Sequence, residues 1–372
     1  MTEPTADPAR PRLPDLATTS VADLALALCN IPSVSGAEAA LADAVETALR
    51  AQLHLEVMRD GNAVVARTSL GRNERVVVAG HLDTVPVSDN LPASFQEGED
   101  GELVLWGRGA VDMKGGIAVQ LVVAARLARP SCDVTWVFYD QEEVDADLSG
   151  LGRLVREHPD WVRGDFAVLC EPTAGAIEGG CNGTLRAEVH VHGRAAHSAR
   201  AWRGVNAIHE TAHVLTRLAL YEPAEVDVDG LRYREGLNAV GIRGGIANNV
   251  IPDACVVTVN YRFAPSKSVA DAEAHVREVF RGYDVVVTDR AAGARPGLDH
   301  PSARAFAATV TRATGVPPGP KYGWTDVARF AELGVPAVNF GPGDPSLAHA
   351  DDERCPVVHL DVAARLLTEW LS

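Results

Sequence analysis

Residues 76–87, VVVAGHLDTVPV, form an apolar run that ends in a histidine and an aspartate two places apart. A strand that is buried on both faces, as in a parallel sheet, is apolar at every position, and its successive side chains alternate between the two faces. His81 and Asp83 are therefore predicted to point the same way at the carboxyl end of such a strand. Pro86 cannot donate to a sheet ladder, so the strand is expected to end before it.

Apolar strands alternate with helices along much of the chain. DVTWVFY, FAVLCEP and PAVNF are predicted strands, and KGGIAVQLVVAARLA is a predicted helix. This alternation indicates an α/β domain with a largely parallel sheet. The middle block, from TLRAEVHVHG to YDVVVTDRA, has instead the order β-α-β-β-α-β of a ferredoxin-like domain. The sequence thus predicts a discontinuous first domain, residues 1–182 and 292–372, interrupted by a second domain at residues 183–291.

Composition excludes several classes of function. The 372 residues include 50 Asp and Glu against 34 Lys and Arg, a formal charge of −16. That balance disfavours binding to nucleic acid or to an anionic membrane. Residues 1–20 are polar and rich in proline, unlike a secretory signal, and no apolar run reaches the roughly 18 residues of a membrane span. We expect a soluble, cytoplasmic protein whose six scattered cysteines are reduced.

Further polar residues lie at or just beyond the ends of apolar segments, where open α/β sheets bind ligands. They are Asp112 in GAVDMKGG, Glu142 and Glu143 in FYDQEEV, Glu171 in VLCEPT and His349 in SLAHADDE. Imidazole and carboxylate ligands without thiolate suit zinc, with manganese or cobalt as possible substitutes. Two histidines and three carboxylates exceed the needs of one catalytic zinc, but they suffice for two metals that share one carboxylate. One of the two adjacent glutamates can then bind metal while the other transfers a proton.

Each motif alone has a simpler interpretation. A histidine and an aspartate at a strand end are often only a polar terminus, paired glutamates are usually solvated, and DMKGG resembles a helix start. Their occurrence in order, each beside its own apolar segment, favours the metal site. The glycine-rich WGRGAVDMKGG lacks the G-x-x-x-x-G-K-[ST] spacing of a phosphate-binding loop.

The motifs GHLDTVPV, GRGAVDMKGG, DQEEV, CEPT and AHADDE resemble, in order, those of the co-catalytic zinc hydrolases. That family includes desuccinylases, acetylornithine deacetylases, aminoacylases and glutamate-releasing carboxypeptidases. The resemblance implies a zinc-peptidase-like catalytic domain with two Zn²⁺, for which Co²⁺ or Mn²⁺ can substitute. It also implies a cis peptide between Asp112 and Met113. The implied roles are His81 and Glu171 on one metal, Glu143 and His349 on the other, Asp112 as the bridge, Glu142 as general base, and Asp83 as the carboxylate that holds the ring of His81.

The same resemblance makes the middle block a lid and dimerisation domain of a homodimer. His197, in GRAAHSARAWRGVNAIHE, is implied to reach the partner's active site and stabilise the oxyanion, although alone it resembles a surface histidine before a helix. Asn248 or Asn249, and Arg262, are implied to bind a substrate carboxylate, for which the arginine fork is suited. Arg186 is expected to add local positive charge.

Two further segments resemble one subgroup of this family. GCNGTLRAEV, which contains Arg186, and KYGWTDVARF, which contains Thr325, resemble desuccinylases of Gram-positive and actinobacterial type. This implies hydrolysis of N-succinyl-LL-2,6-diaminopimelate to succinate and LL-2,6-diaminopimelate. The alternatives are deacetylation of acetylornithine and another N-acyl amino acid deacylase or carboxypeptidase activity. A metal-dependent binding protein without activity is disfavoured, because it has no need of Glu142.

Overall fold

A computed structural model describes residues 11–98 and 101–372. The strands are β1 (Glu56–Asp60), β2 (Ala63–Arg67), β3 (Arg75–His81), β4 (Ser94–Glu97), β5 (Leu103–Trp106), β6 (Asp133–Tyr139), β7 (Phe166–Leu169), β8 (Glu178–Gly179), β9 (Gly183–His192), β10 (Ala196–His197), β11 (Glu225–Val228), β12 (Leu231–Arg234), β13 (Gly236–Gly244), β14 (Val250–Ile251), β15 (Ala254–Phe263), β16 (Asp284–Ala291), β17 (Gly319–Pro320), β18 (Ala337–Asn339) and β19 (Arg354–Pro356). The α-helices are α1 (Val21–Cys29), α2 (Ala39–Arg50), α3 (Lys114–Arg126), α4 (Gly150–Glu157), α5 (Pro159–Val162), α6 (Ala207–Ala219), α7 (Val269–Val279), α8 (Pro301–Thr314), α9 (Val327–Glu332) and α10 (Val357–Leu371).

The chain divides into two compact units. The first comprises the described residues up to Gly179 together with Gly297–Gly319 and Arg329–Ser372, and the second comprises Gly180–Pro296 and Pro320–Ala328. The segment Pro320–Ala328 lies in the sequence range that the residue pattern assigns to the first domain. Its hydrogen bonds explain its place in the second unit, since the Asn182 N–H donates to the Lys321 carbonyl at 3.2 Å and the Trp324 Nε1–H to the Ala292 carbonyl at 3.0 Å.

The first unit is built on a central sheet with the strand order β1-β2-β6-β3-β7-β18-β8-β17. Its middle strands β6, β3, β7 and β18 are parallel, and β1, β2 and β8 pair antiparallel. The apolar residues of β3, β6 and β7 are buried, and they belong to a core that also contains residues of α1, α3 and α10. The predicted α/β domain with a largely parallel sheet is confirmed.

The second unit contains a four-stranded antiparallel sheet in the order β13-β15-β9-β16. With α6 after β9 and α7 after β15, the chain follows the β-α-β-β-α-β order, with the hairpin β11–β12 before β13. Residues of both helices share a buried core with one face of the sheet, which includes Val257, Val259 and Tyr261. The alternate residues Thr258, Asn260 and Arg262 remain partly exposed.

Two findings concern the helices and the cysteines of the described residues. No helix in this part of the structure combines the length and apolar character needed to cross a bilayer. All six cysteines are unpaired, and five of them are buried. Burial raises the pKa of Cys29 to about 12, so its thiol is uncharged at neutral pH.

Candidate metal centre

The parallel strands bring several polar side chains to one edge of the central sheet. His81 is the last residue of β3 and lies beside Tyr139 at the end of β6, and Ala79 lies beside Leu169 at the end of β7. Segments 140–143 and 170–171 therefore leave the sheet at the same edge as His81. Gln141 adopts a left-handed backbone with φ of 57°, which turns the chain just before the two glutamates.

The carboxylate of Asp112 lies close to both histidines of the centre. Its Oδ1 lies 3.1 Å from Nε2 of His81, and its Oδ2 lies 3.4 Å from Nε2 of His349. His349 Nε2 also lies 2.9 Å from Oε1 of Glu143. His81, Asp112 and Glu143 each offer a ligand atom within 4.8 Å of the others, so this group has the spacing to hold a metal ion.

Asp83 contacts both His81 and the pair of glutamates. Nδ1 of His81 lies 3.0 Å from the main-chain oxygen of Asp83 and 3.5 Å from its carboxylate. Because a carbonyl oxygen only accepts, Nδ1 carries the hydrogen and Nε2 is left to face Asp112. The Asp83 carboxylate accepts hydrogen bonds from the N–H groups of Glu142 at 3.0 Å and Glu143 at 3.1 Å, and from the Ser35 hydroxyl at 2.7 Å. The carboxylate thus holds the backbone of the two glutamates, and the His81 ring is held chiefly by the Asp83 main chain.

The charges of the centre shift each other's pKa strongly. Burial lowers the pKa of His81, but the carboxylates of Asp112 and Asp83 outweigh burial and raise it well above its usual value. Asp112 and Glu143 raise the pKa of His349 to about 10. Burial raises the pKa of Asp83, but bonding to His81 and to the Glu142 N–H lowers it to about 2. Burial likewise raises the pKa of Asp112, but its bonds to His349 and His81 lower it below its usual value, so the carboxylates of Asp83 and Asp112 are ionised at neutral pH and favour a cation beside them.

Three further observations concern the predicted residues of the first unit. The Asp112–Met113 peptide is cis, as the resemblance implies. Glu171 follows β7 and is 6% exposed, but among the described residues it lies outside the group within 4.8 Å. His349 has φ of 65° and a side chain that is 52% exposed, whereas His81 is 1% exposed. The centre therefore has one buried and one accessible histidine.

Sequence reasoning missed several residues that support the centre. Ser35 holds Asp83, and Glu353, 1% exposed, accepts hydrogen bonds from the Val111 and Asp112 N–H groups. Lys114 is buried at the start of α3, where its ammonium donates to the Ile31 carbonyl at 2.8 Å, and burial lowers its pKa to about 8. Lys114 and Glu353 lie within the motifs GAVDMKGG and AHADDE, but neither motif marks them as supporting residues, and Ser35 lies in no motif.

A second group, Asp60, Glu157 and His158, also has the spacing to hold a metal ion among the described residues. Asp60 is paired with Arg153, whose Nε lies 2.9 Å from its carboxylate. Arg153 in turn bonds to Asp140 at 2.9 Å. The guanidinium of Arg153 therefore already provides a positive charge beside this group.

The second unit contains the other predicted residues in two places. His197 in β10 pairs with Val250 in β14, and the Ser198 N–H donates to the Asn249 carbonyl at 2.9 Å, so His197 lies near the two asparagines 248 and 249. Arg186 in β9 and Arg262 in β15 lie on neighbouring strands, with Asn260 paired to Arg186.

Thr325 lies near the start of β9. It is 5% exposed, and its carbonyl lies 3.6 Å from Sγ of Cys181, which precedes that strand.

Burial, and then the charge of Arg186, lower the pKa of Arg262. Two cationic side chains therefore lie close together near one end of this sheet.

Two relatives of known name match nearly the whole chain. A Corynebacterium glutamicum succinyl-diaminopimelate desuccinylase is 46% identical over 93% of this chain and 94% of its own length. A Mycobacterium tuberculosis protein, DapE, provisionally named as a succinyl-diaminopimelate desuccinylase, is 56% identical over 94% of this chain and 97% of its own length.

The fold also resembles that of a protein whose structure has been solved. The Bacillus subtilis YXEP protein, described as a dinuclear metal-binding peptidase, has a TM-score of 0.69 at 16% identity, over 94% of this chain and 96% of that one. The model of peptidase family M20/M25/M40 matches residues 77–372. On this match and these identities, the chain belongs to peptidase family M20/M25/M40.

Proposed function

We propose that the protein is a cytoplasmic metal-dependent amide hydrolase that converts N-succinyl-LL-2,6-diaminopimelate and water to succinate and LL-2,6-diaminopimelate, a step in diaminopimelate and lysine synthesis. The observation that carries the chemistry is the carboxylate of Asp112, whose two oxygens face two different histidines. The substrate follows from relatives of that name that are 46% to 56% identical over nearly the whole chain.

The donor set fits two metal ions. A bridging carboxylate offers one oxygen to each ion, as Asp112 does toward His81 and His349. We assign His81 and Glu171 to one ion and Glu143 and His349 to the other. Imidazole and carboxylate donors suit Zn²⁺, with Co²⁺ or Mn²⁺ as substitutes. When bound, such a pair lowers the pKa of water and polarises the amide carbonyl.

Glu142 is the proposed general base. Its main-chain N–H is fixed by the Asp83 carboxylate at 3.0 Å, and the neighbouring Glu143 is held in the same way, so the two side chains leave one anchored turn. Glu142 takes the proton from the attacking water and returns it to the departing amine. Asp83 remains ionised while it holds this turn, because its pKa is about 2.

Residues of the second unit are proposed to recognise the substrate. Arg186 and Arg262 are close enough for the charge of Arg186 to lower the pKa of Arg262. A guanidinium group binds a carboxylate in a bidentate manner, through two parallel hydrogen bonds, and the proposed substrate carries several carboxylates. We assign Asn248, Asn249 and Thr325 to the same task, and His197 to stabilisation of the oxyanion.

The second unit also supports a homodimer. Strand β13 is an edge of its sheet, and Val240, Ile242 and the nearby Ile246 are 61%, 55% and 85% exposed. Helix α6 of the same unit exposes Ile208 and Leu215. An exposed apolar edge strand is a template for pairing with another strand. We propose that a second copy of the chain covers this edge.

The decisive experiment measures kcat/KM of the zinc-loaded protein for N-succinyl-LL-2,6-diaminopimelate and for N-acetylornithine. We expect a preference for the succinyl substrate of roughly 100-fold, since an acetyl group leaves the proposed arginine pair without the succinyl carboxylate. Faster hydrolysis of N-acetylornithine would replace the proposed substrate with that one. No hydrolysis of either by metal-loaded protein would reject both.

The base is tested by Glu142→Gln, with Glu222→Gln at an exposed position as the matched control. We expect Glu142→Gln to retain its metal content and to lose roughly 10²- to 10⁴-fold in kcat, because only the proton acceptor is removed. The control should keep wild-type turnover. Near-normal turnover by Glu142→Gln would show that another group is the base.

A further inference from the structure

Glu353 lies four residues after His349, yet its side chain points away from solvent and is 1% exposed. Its two neighbours Asp351 and Asp352 are exposed, so Glu353 alone of these three acids is drawn into the first unit. Burial of a carboxylate is unfavourable unless its oxygens are bonded to donors. The groups that donate hydrogen bonds to Glu353 therefore indicate its role.

Both oxygens of Glu353 are occupied by the segment that carries Asp112. Oε1 accepts hydrogen bonds from the N–H groups of Val111 at 2.9 Å and Asp112 at 3.0 Å. Oε2 accepts from Nη1 of Arg108 at 2.9 Å. One carboxylate thus holds the backbone of the residue whose own carboxylate faces both histidines.

Arg108 adds further hydrogen bonds between the same two parts of the chain. It is 3% exposed and also donates from Nη1 to the Ala350 carbonyl at 3.2 Å, next to His349, and from Nε to the Pro86 carbonyl at 3.1 Å. The Gly107 N–H donates to the Glu353 carbonyl at 2.9 Å. Several hydrogen bonds therefore join segments 107–112 and 350–353, with the donors in the first segment and the acceptors in the second.

We propose that Glu353, with Arg108, is a positioning residue that sets the Asp112 carboxylate and the His349 ring in register for the metal centre. The proposal rests on the assignment of Asp112 and His349 as metal ligands. A carboxylate is required because both oxygens must accept. A glutamine has one accepting oxygen, and its amide group would face either the N–H pair or the guanidinium, donor against donor.

The test is a titration of chelator-stripped, full-length Glu353→Gln with Co²⁺ alone, followed by calorimetry and by the visible absorption of the bound ion. We expect at least one of two binding steps to weaken by roughly 10- to 100-fold, as is typical when a group that orients a ligand is removed. The absorption spectrum should change, because the geometry around the ion changes. In a separate assay kcat should fall while KM stays near the wild-type value.

Asp352→Asn is the matched control, since Asp352 is an exposed neighbour that bonds to Arg354 and not to the Asp112 segment. It should bind Co²⁺ as the wild type does. Wild-type affinity and spectrum in Glu353→Gln would overturn the proposal. If Glu353→Gln does not fold, Arg108→Lys is tested in its place, because lysine keeps the positive charge but lacks the branched guanidinium. Weaker Co²⁺ binding by Arg108→Lys supports the proposal, and unchanged binding overturns it. No substrate enters the titration, so a wrong assignment of the substrate leaves its outcome intact.

Discussion

The backbone and the side chain of Asp83 have different partners. Its main-chain oxygen lies 3.0 Å from Nδ1 of His81, while its carboxylate lies 3.5 Å from the same atom and bonds at 3.0 to 3.1 Å to the N–H groups of Glu142 and Glu143. A substitution of the side chain therefore leaves the closer contact with His81 in place. The carboxylate is thus expected to matter more for the glutamates than for the histidine.

Changing Asp83 to Asn tests this division. The amide presents one accepting oxygen to the Glu142 N–H, the Glu143 N–H and the Ser35 hydroxyl, so the turn that carries both glutamates should shift. A displacement of about 1 Å at a catalytic group costs roughly 10²-fold, and we expect a fall in kcat of that order. Zinc affinity, measured by competition with a chelator, should change much less than kcat.

Ser35→Ala serves as the milder comparison, because it removes one donor to Asp83 and leaves both N–H bonds in place. It should reduce kcat by a smaller factor. If Asp83→Asn instead lost zinc affinity in proportion to kcat, the carboxylate would act mainly on His81, as the family resemblance implies.

The residues that face the centre were easier to predict than those behind it. His81, Asp112, Glu143 and His349 each lie at or after the end of an apolar segment, and the structure brings them into contact. Glu353 belongs to an acidic run that has the composition of a solvated surface, and its burial depends on donors from residues 108–112. Contacts between distant segments leave no local pattern, so such residues are found only in the folded chain.

At the level of elements, helix α3 approaches the end of β7 more closely than a side chain allows. A Cβ on Gly116 would lie 2.2 Å from the Cys170 carbonyl oxygen, which is backbone and cannot move aside. Asp112 lies just before α3 and Glu171 just after Cys170. The spacing between helix and strand therefore also sets the spacing between two proposed metal ligands.

Gly116→Ala should separate α3 from the end of β7. We expect a loss of about 1 to 3 kcal/mol in the free energy of unfolding, which is usual for an overpacked core, and a lower zinc affinity. Urea denaturation and a chelator competition measure the two effects. Gly319→Ala, where a Cβ meets nothing within 4 Å, is the control and should change neither. Wild-type stability in Gly116→Ala would mean that the helix can move without cost.

Asp133, at the start of β6, anchors the connection between β2 and β3. Its carboxylate accepts from the Thr68 hydroxyl at 3.0 Å and from the N–H groups of Leu70 at 2.7 Å and Arg72 at 2.9 Å. Burial raises the pKa of Asp133, but these bonds outweigh it and lower the pKa below its usual value. The charged form therefore stabilises the fold above the unfolded pKa of about 4, and this contribution disappears as pH falls through the lower folded pKa.

Replacing Asp133 by Asn should cost about 1 to 3 kcal/mol at neutral pH, since buried donors lose a charged acceptor. Denaturation curves should show a constant difference from the wild type above about pH 5 and a shrinking one below about pH 4. Asp361→Asn, at an exposed position in α10, should show neither effect. A pH-independent difference would contradict the role of the charge.

The sequence pattern predicted the long elements of the fold and missed short ones such as β4 and β19. β3, β6 and α3 are apolar along their length, and burial decided their structure. β4 and β19 are short strands that exist because they pair with β5 on either side. Likewise, Pro320–Ala328 belongs to the second unit through bonds to residues near 182 and 292, which local composition does not reveal.

For the whole molecule, the exposed edge at β13 leads to a test of assembly. Ile242→Lys places a charge on that edge, which opposes strand pairing. We expect light scattering to show a shift from dimer to monomer, and turnover to fall with the dimer fraction if His197 acts in the partner's site. Val286→Lys is the matched control, because Val286 is 43% exposed on β16 at the opposite edge of the same sheet. A monomeric wild type, or a dimeric Ile242→Lys, would reject this interface.

The order of the site residues along the chain has a consequence for synthesis. His81 and His349 face one carboxylate, although Gly180–Pro296 of the second unit is encoded between them. Domains generally fold as units as the nascent chain emerges from the ribosome. The sheet β13-β15-β9-β16 is complete in sequence by residue 291, whereas the central sheet lacks β18 until residue 339. The second unit is complete in sequence at Ala328, before His349, so we expect the nascent protein to carry this unit while its candidate metal centre still lacks a histidine, and hydrolytic competence to arrive only with the last part of translation.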